Sequence, residues 1–303
     1  MASTESDPIA SPIRPAATVV LMRDGDRGLE VLLTLRPKHL RFMGGAAVFP
    51  GGAVAAADRD PRWVARSALS PGDAAAALGD DDATSALGAY VCALREAFEE
   101  VGFLLGNGPV DDLERADADD PDAFLDDCIA HDVVLGTDEL VPAGRWVTPA
   151  GSPIRFDTLF FLAGVEPGWE PVPDPNEVAS CRWITPGEAL AELAAGGLMM
   201  APPTVEMLQR LEAYSGRSEA MEGLGGAGLK GAGHVLSVRL SPLVHVVLAP
   251  NPGLMTGPGT NTYVVGSGPT TVIDPAVPDQ PYLDAVLEAA GEVAQILVTH
   301  RHP

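Results

Sequence analysis

Three glutamates carry the chemistry that this sequence suggests most strongly. Glu96, Glu99 and Glu100 lie in the run Arg95-Glu96-Ala97-Phe98-Glu99-Glu100-Val101-Gly102-Phe103. At spacings i, i+3 and i+4 a helix places all three carboxylates on one side. Like charges held that close raise one another's pKa, so a purely structural helix gains nothing from the arrangement. A divalent cation reverses the sign, because hard oxygen ligands are what Mg²⁺ or Mn²⁺ prefers. Arg95, one turn before Glu99, can orient a carboxylate by charge-assisted hydrogen bonds. The plainer alternative is a solvated Glu-rich face. Against it stand an apolar stripe behind the carboxylates, the closing Gly102-Phe103 pair, and an upstream Phe49-Pro50-Gly51-Gly52 turn.

The elements that must position these residues are legible in the pattern. Val91, Leu94, Phe98 and Val101 recur at three- and four-residue intervals, which predicts a helix over 85–101 with Gly102 as its left-handed cap. Two apolar runs, 16–22 and 29–35, flank Asp24-Gly25-Asp26-Arg27-Gly28 and predict an antiparallel hairpin. A short strand over 46–49 enters the Pro50-Gly51-Gly52 turn. Residues 58–85, rich in Ala, Asp, Gly and Pro, read as an insert of loop and short helix, and 111–140 as an acidic, partly helical stretch. Strands are expected at 155–165 and 177–184. Helices follow, one opened by Thr185-Pro186-Gly187-Glu188 and one over 204–214. A Gly/Ala-rich segment, 215–233, reads as a linker, and 234–303 as a second αβ segment.

Composition narrows the class. The 303 residues are 46% hydrophobic, enough for a globular core in an α/β chain of more than one unit. Cys92, Cys128 and Cys181 form no CxxC pair, which excludes a disulfide framework and a zinc knuckle. No apolar stretch is long enough to span a bilayer, and the polar, Pro-interrupted start fits neither a signal nor a transit peptide, so a cytoplasmic protein without a membrane partner is expected. A formal net charge of −23 argues against nucleic acid as partner. An anionic phosphate substrate approaching such a protein needs local positive charge, and bound divalent cations are the obvious source. Oligomeric state is not encoded in any of these features.

Residues 95–103 resemble the second half of the Nudix box, REUXEEXGU with U apolar, and Phe49-Pro50-Gly51-Gly52 resembles its start. Gly52 and Arg95 are 43 positions apart (95 − 52), so the box is interrupted by an insert, and the position of its early Glu is held by Asp58. An interrupted box resembles the acyl-CoA diphosphatase-like branch of the family. Similar to that branch are also Arg36-Pro37, Arg41-Phe42-Met43-Gly44-Gly45, Trp146-Val147-Thr148-Pro149, Arg155-Phe156-Asp157-Thr158 and Glu177 before Trp183. The resemblance covers about 15–214 and implies an α/β/α sandwich with a mixed sheet. It implies a Mg²⁺- or Mn²⁺-dependent pyrophosphohydrolase that cleaves a nucleoside diphosphate linked to another moiety, such as CoA or an acyl-CoA. In that scheme Glu96, Glu100 and the Gly51 carbonyl are ligands, Glu99 is ligand or base, and Glu177 is a distal ligand or base. Arg36, Arg41 and Arg155 would bind the outer phosphates. A non-catalytic Nudix sensor is the alternative; the intact glutamate set argues against it.

The last segment resembles the first strands of the metallo-β-lactamase fold. The resemblance lies in Asn251-Pro252-Gly253, Gly257-Pro258-Gly259-Thr260-Asn261-Thr262-Tyr263, Val272-Ile273-Asp274-Pro275 and Thr299-His300-Arg301-His302. Two His are too few for a zinc enzyme, so neither zinc nor zinc hydrolase activity is expected of this chain. The resemblance implies an incomplete piece, with the Nudix part an accessory of a zinc hydrolase as a third possibility. Such a piece is expected to pack poorly and to expose strand edges.

Overall fold

A long hairpin organises the first unit. In the computed structural model, which describes residues 12–40, 43–115, 121–148, 152, 154–225, 235, 237–251, 256 and 259–299, β1 (Ile13–Gly25) pairs antiparallel with β2 (Gly28–Leu35). Further strands are β3 (Ala47–Val48), β4 (Gly51–Ala53), β7 (Val141–Val147), β8 (Arg155–Gly164) and β9 (Ser180–Ile184); β5 (Gly106–Asn107) and β6 (Val134–Leu135) pair separately. The main sheet runs β3-β2-β1-β8-β7, with β4 on β1 and β9 on β2. Strand alternation sends successive side chains to opposite faces. Ala17, Val19 and Leu21 pack into the cluster beneath the glutamate helix, while Val20 and Met22, equally buried, point to the other face. Both faces are therefore covered, as a sandwich requires.

On the first face lie α1 (Pro71–Leu78), α2 (Ala83–Val101) and α3 (Pro121–Ala130). Asp82 caps α2 by accepting from the N–H groups of Thr84 and Ser85. At the other end Gly102, at φ +76°, closes it with Gly102 N–H to Phe98 O and Phe103 N–H to Ala97 O. The insert expected as loop and short helix is an integral layer. Trp63 from its second 3-10 turn and Ala74 and Leu78 from α1 are buried in the same cluster as Leu94, Phe98 and Phe161 of α2 and β8. The remaining helices are α4 (Pro186–Ala194), with a full capping box between Thr185 and Glu188, α5 (Pro202–Leu211) and α6 (Arg217–Gly225). The span expected as a linker, 215–233, thus begins with a helix. Its residues Ala220 and Leu224 are buried, and Arg217 donates to Asp24 Oδ1 and to the Val165 carbonyl. Sidedness of a nine-residue helix with so many small residues is weak in sequence, and the rest of that span lies outside the described residues.

The chain divides into two compact units. The first takes in the described residues within 15–146 and 158–232, the second those within 1–14, 147–157 and 233–303. In the second, β10 (Ser237–Ser241), β11 (Val244–Leu248), β12 (Asn261–Val265), β13 (Thr270–Ile273) and β14 (Val293–Leu297) form a sheet in that order, with α7 (Gln280–Ala290) crossing between β13 and β14. Tyr282, Val286 and Ala290 of α7 close a small core over Val247, Val264 and Val272. Every residue of β14 is exposed, Ile296 by 60%. The segment has more core than its sequence led us to expect, together with an uncovered last strand. The His300 and His302 motif lies outside the described residues. Among the described residues no helix is long and apolar enough to cross a membrane.

Trp63 tests whether the insert belongs to the core. Trp63→Ala is expected to cost about 3–5 kcal/mol, read as a lower denaturant midpoint. An unchanged midpoint would make the insert a dispensable appendage.

Candidate active site

The site is built around one buried arginine. Arg95, facing out of α2 beneath the Gly51-Gly52 turn, is only 4% exposed. Its Nε donates to Asp58 Oδ1 at 2.8 Å and its Nη2 to Asp58 Oδ2 at 3.1 Å, a bidentate pair. Nη1 donates to Glu99 Oε2 at 2.7 Å, and Nη2 also lies 2.9 Å from Glu96 Oε1. Burial works against the arginine's charge, but the hydrogen bonds and charge of Asp58 and the charge of Glu96 outweigh it and hold it protonated. Asp58 in turn accepts the Ala55 N–H. The residue that stands where the box has its early Glu is thus 1% exposed and anchors Arg95.

β4 brings backbone to the helix. Gly51 pairs with Thr18 and Gly52 with Ala17. At Gly51, φ +155°, a Cβ would run into the main chain of Ala17 and Thr18; at Gly52 it would lie 2.5 Å from the Glu96 carboxylate. Glycine at 51 is required by the close approach to β1, and glycine at 52 leaves the Glu96 carboxylate its place beside the turn. The Gly51 N–H faces Glu100 and favours its charged form, while Glu100 itself is buried at 5% exposure.

Beside this contact opens a cleft of about 610 Å³ lined by Arg36, Leu40, Gly51, Gly52, Ala53, Glu96, Glu100, Asp174, Asn176 and Glu177. Of the residues expected there, Gly51, Glu96, Glu100, Glu177 and Arg36 are brought together. Glu99 is held beside Arg95, behind that lining. Arg155 is not: it belongs to the second unit, where its Nε donates to the Thr148 carbonyl, and a hairpin tip distant in sequence gives no warning of which unit it joins. Arg41 lies outside the described residues. Asp174 and Asn176 were not singled out from sequence; the turn signal Asp174-Pro175-Asn176 was the available clue.

Burial is the main force on the carboxyls. It pushes Glu99 up to about 7 against the pull of Arg95, with the charge of Glu96 adding to the rise. It raises Glu96, which Arg95 opposes. It drives Glu100 well above the usual carboxylate range, helped by Glu96 and Glu177 and opposed by Arg36 and the Gly51 N–H. Glu99 Oε1 and Glu100 Oε2 are buried acceptors with no hydrogen-bond partner. Among the described residues no three side chains already form a cation cage. The two orphaned oxygens nevertheless fit a hard divalent cation, because each lacks the partner that a buried polar atom normally finds.

A Gly-Gly turn over a glutamate helix, in a sandwich with a mixed sheet, is the Nudix arrangement. Residues 13–211 match the NUDT19 Nudix domain, and the chain belongs to that family. It is 27% identical to the human acyl-coenzyme A diphosphatase NUDT19, an alignment that covers 91% of this chain and 82% of the relative. The corresponding protein of Gallus gallus is 29% identical, with 70% and 68% covered. A NUDIX hydrolase structure from Alicyclobacillus acidocaldarius superposes with a TM-score of 0.59 at 29% identity, covering 73% of this chain and 99% of that one. The protein is a hydrolase of diphosphate bonds.

The raised carboxyls make a prediction about stability. A folded-state pKa above the unfolded one means that the fold holds protons which the unfolded chain releases. That contribution is complete below the ordinary value of 4.5 and is lost as pH rises through about 7 for Glu99, and through a higher pH for Glu100. In chelator, the melting temperature should therefore fall from acidic to mildly alkaline pH, and Glu100→Gln should flatten the fall. Equal slopes for variant and wild type would show that Glu100 carries no such burden.

Proposed function

We propose that this chain is a Mg²⁺- or Mn²⁺-dependent diphosphatase of CoA or acyl-CoA, releasing an adenosine bisphosphate and a phosphopantetheine compound. The observation that carries the substrate class is the similarity to the acyl-coenzyme A diphosphatases over most of the chain. For the metal, support comes from the buried and unpartnered Glu99 Oε1 and Glu100 Oε2.

Glu96 and Glu100, with the Gly51 carbonyl that the family resemblance assigns, would hold the cation, and Glu177 would approach from the facing loop. When bound, the cation supplies charge neutralisation for the diphosphate and Lewis-acid polarisation. The chain's own groups do the rest. Arg36, whose Nε is buried without a partner, lines the cleft near Glu100 and is suited to bind an outer phosphate oxygen. Glu99 has one oxygen fixed by Arg95 and leaves Oε1 as a further cation ligand or as a proton acceptor beside the site. On a chain of net charge −23, Arg36 and the cation together make the cleft approachable to an anion. For 234–303 we propose a metallo-β-lactamase-like segment. Its support is the motif resemblance and the β10–β14 sheet with α7.

The test is a panel of CoA, acyl-CoAs, NADH, ADP-ribose and diadenosine polyphosphates, each with Mg²⁺ or Mn²⁺. CoA compounds should be cleaved with the highest kcat/KM, and Glu100→Gln should lower kcat by about 10²- to 10⁴-fold. No cleavage anywhere, with wild type equal to the variant, would sink the enzyme; preference for another compound would sink the CoA assignment.

A further inference from the structure

The end of α2 leaves backbone carbonyls that no helical N–H can reach. Gly102 and Phe103 take those of Phe98 and Ala97. The carbonyls of Glu100 and Val101 are taken from outside the helix, by Asp174 N–H and Val172 N–H, each at 2.9 Å. The segment that supplies them reads Pro171-Val172-Pro173-Asp174-Pro175-Asn176. Its prolines carry no N–H, so backbone donors remain only at Val172, Asp174 and Asn176. Two of them tie to α2. The third, Asn176 N–H, donates to Asp174 Oδ1 at 2.9 Å, and the same oxygen accepts Asn176 Nδ2 at 3.1 Å. The Asp174 carbonyl then accepts from Glu177 N–H at 3.2 Å and Val178 N–H at 2.8 Å.

Asp174 therefore serves two elements at once. Its N–H fixes it to the main chain of Glu100, and its side chain and carbonyl shape the turn that delivers Asn176 and Glu177 to the same cleft wall. Arg115, whose guanidinium lies over Gly102 at the helix end, has the Asp174 charge beside it.

We propose that Asp174 is a positioning residue for hydrolysis: its carboxylate sets the turn that keeps Glu177 at a fixed spacing from Glu100. This rests on Glu177 belonging to the hydrolytic machinery, as read above. It differs from a structural role because the effect must run through Glu177. An aspartate whose carboxylate closes its own turn two residues on can be replaced by asparagine, which keeps the accepting Oδ1, but not by alanine.

The experiment measures kcat and KM on the full chain with Mg²⁺, using CoA, or ADP-ribose if CoA is not turned over, at a temperature where melting curves show every variant folded. Asp174→Ala should lower kcat by about 10- to 100-fold with little change in KM, the scale of a misplaced catalytic group. Asp174→Asn should restore kcat to within about threefold of wild type. In a Glu177→Gln background Asp174→Ala should add less than about twofold, since residues acting as one unit are not additive. The proposal is overturned if the alanine loss recurs in full in that background, if Asp174→Asn is as poor as alanine, or if Glu177→Gln alone is fully active. Failure of the hydrolase reading itself would appear separately, as Glu100→Gln equal to wild type.

Discussion

One guanidinium holds three parts of this molecule in register. Arg95 reaches Asp58 in the insert, the Ala53 carbonyl on β4, and Glu96 and Glu99 on its own helix. A buried cation is tolerable only when its neighbours are charged and well aligned, and buried carboxylates only when a cation answers them. Each side thus makes the other possible. The fold at this point cannot be separated from the site, because the interaction that fastens insert and strand to α2 also orients the glutamates.

The glutamates are nevertheless left short. Arg95 answers Asp58 fully and Glu99 in part, while Glu100 has only the Gly51 N–H favouring its charge and keeps an orphaned oxygen. Protonation is one way to relieve such a group and a divalent cation is the other; the two differ in what they leave available for chemistry. An acidic chain that buries carboxylates beside a cleft has built in a demand for positive charge. Arg36 meets a fraction of it.

The cleft has two walls of different origin. One is local: a helix with its glutamates at fixed spacing and a glycine turn pressed against it. The other is a proline-punctuated loop, whose few remaining N–H groups find the unsatisfied carbonyls at the helix end. Backbone satisfaction at a helix terminus thereby becomes a device for bringing a remote carboxylate, Glu177, to the same space as Glu100.

The helix, its cap at Gly102, the hairpin of β1 and β2 and the shared face of Glu96, Glu99 and Glu100 were legible in the sequence. Each depends on periodicity or turn chemistry within a few residues, which a linear pattern records. The split box and the place of Asp58 were visible too, but the task of Asp58 was not. Only the tertiary structure decided that it closes on Arg95, that Trp63 and α1 make the insert part of the core, that Arg217 and α6 join the first unit, and that Arg155 joins the second. Those outcomes depend on which distant groups meet in a water-poor interior. There the energy of a charge or an indole is set by its partners across the fold and not by its neighbours in the chain.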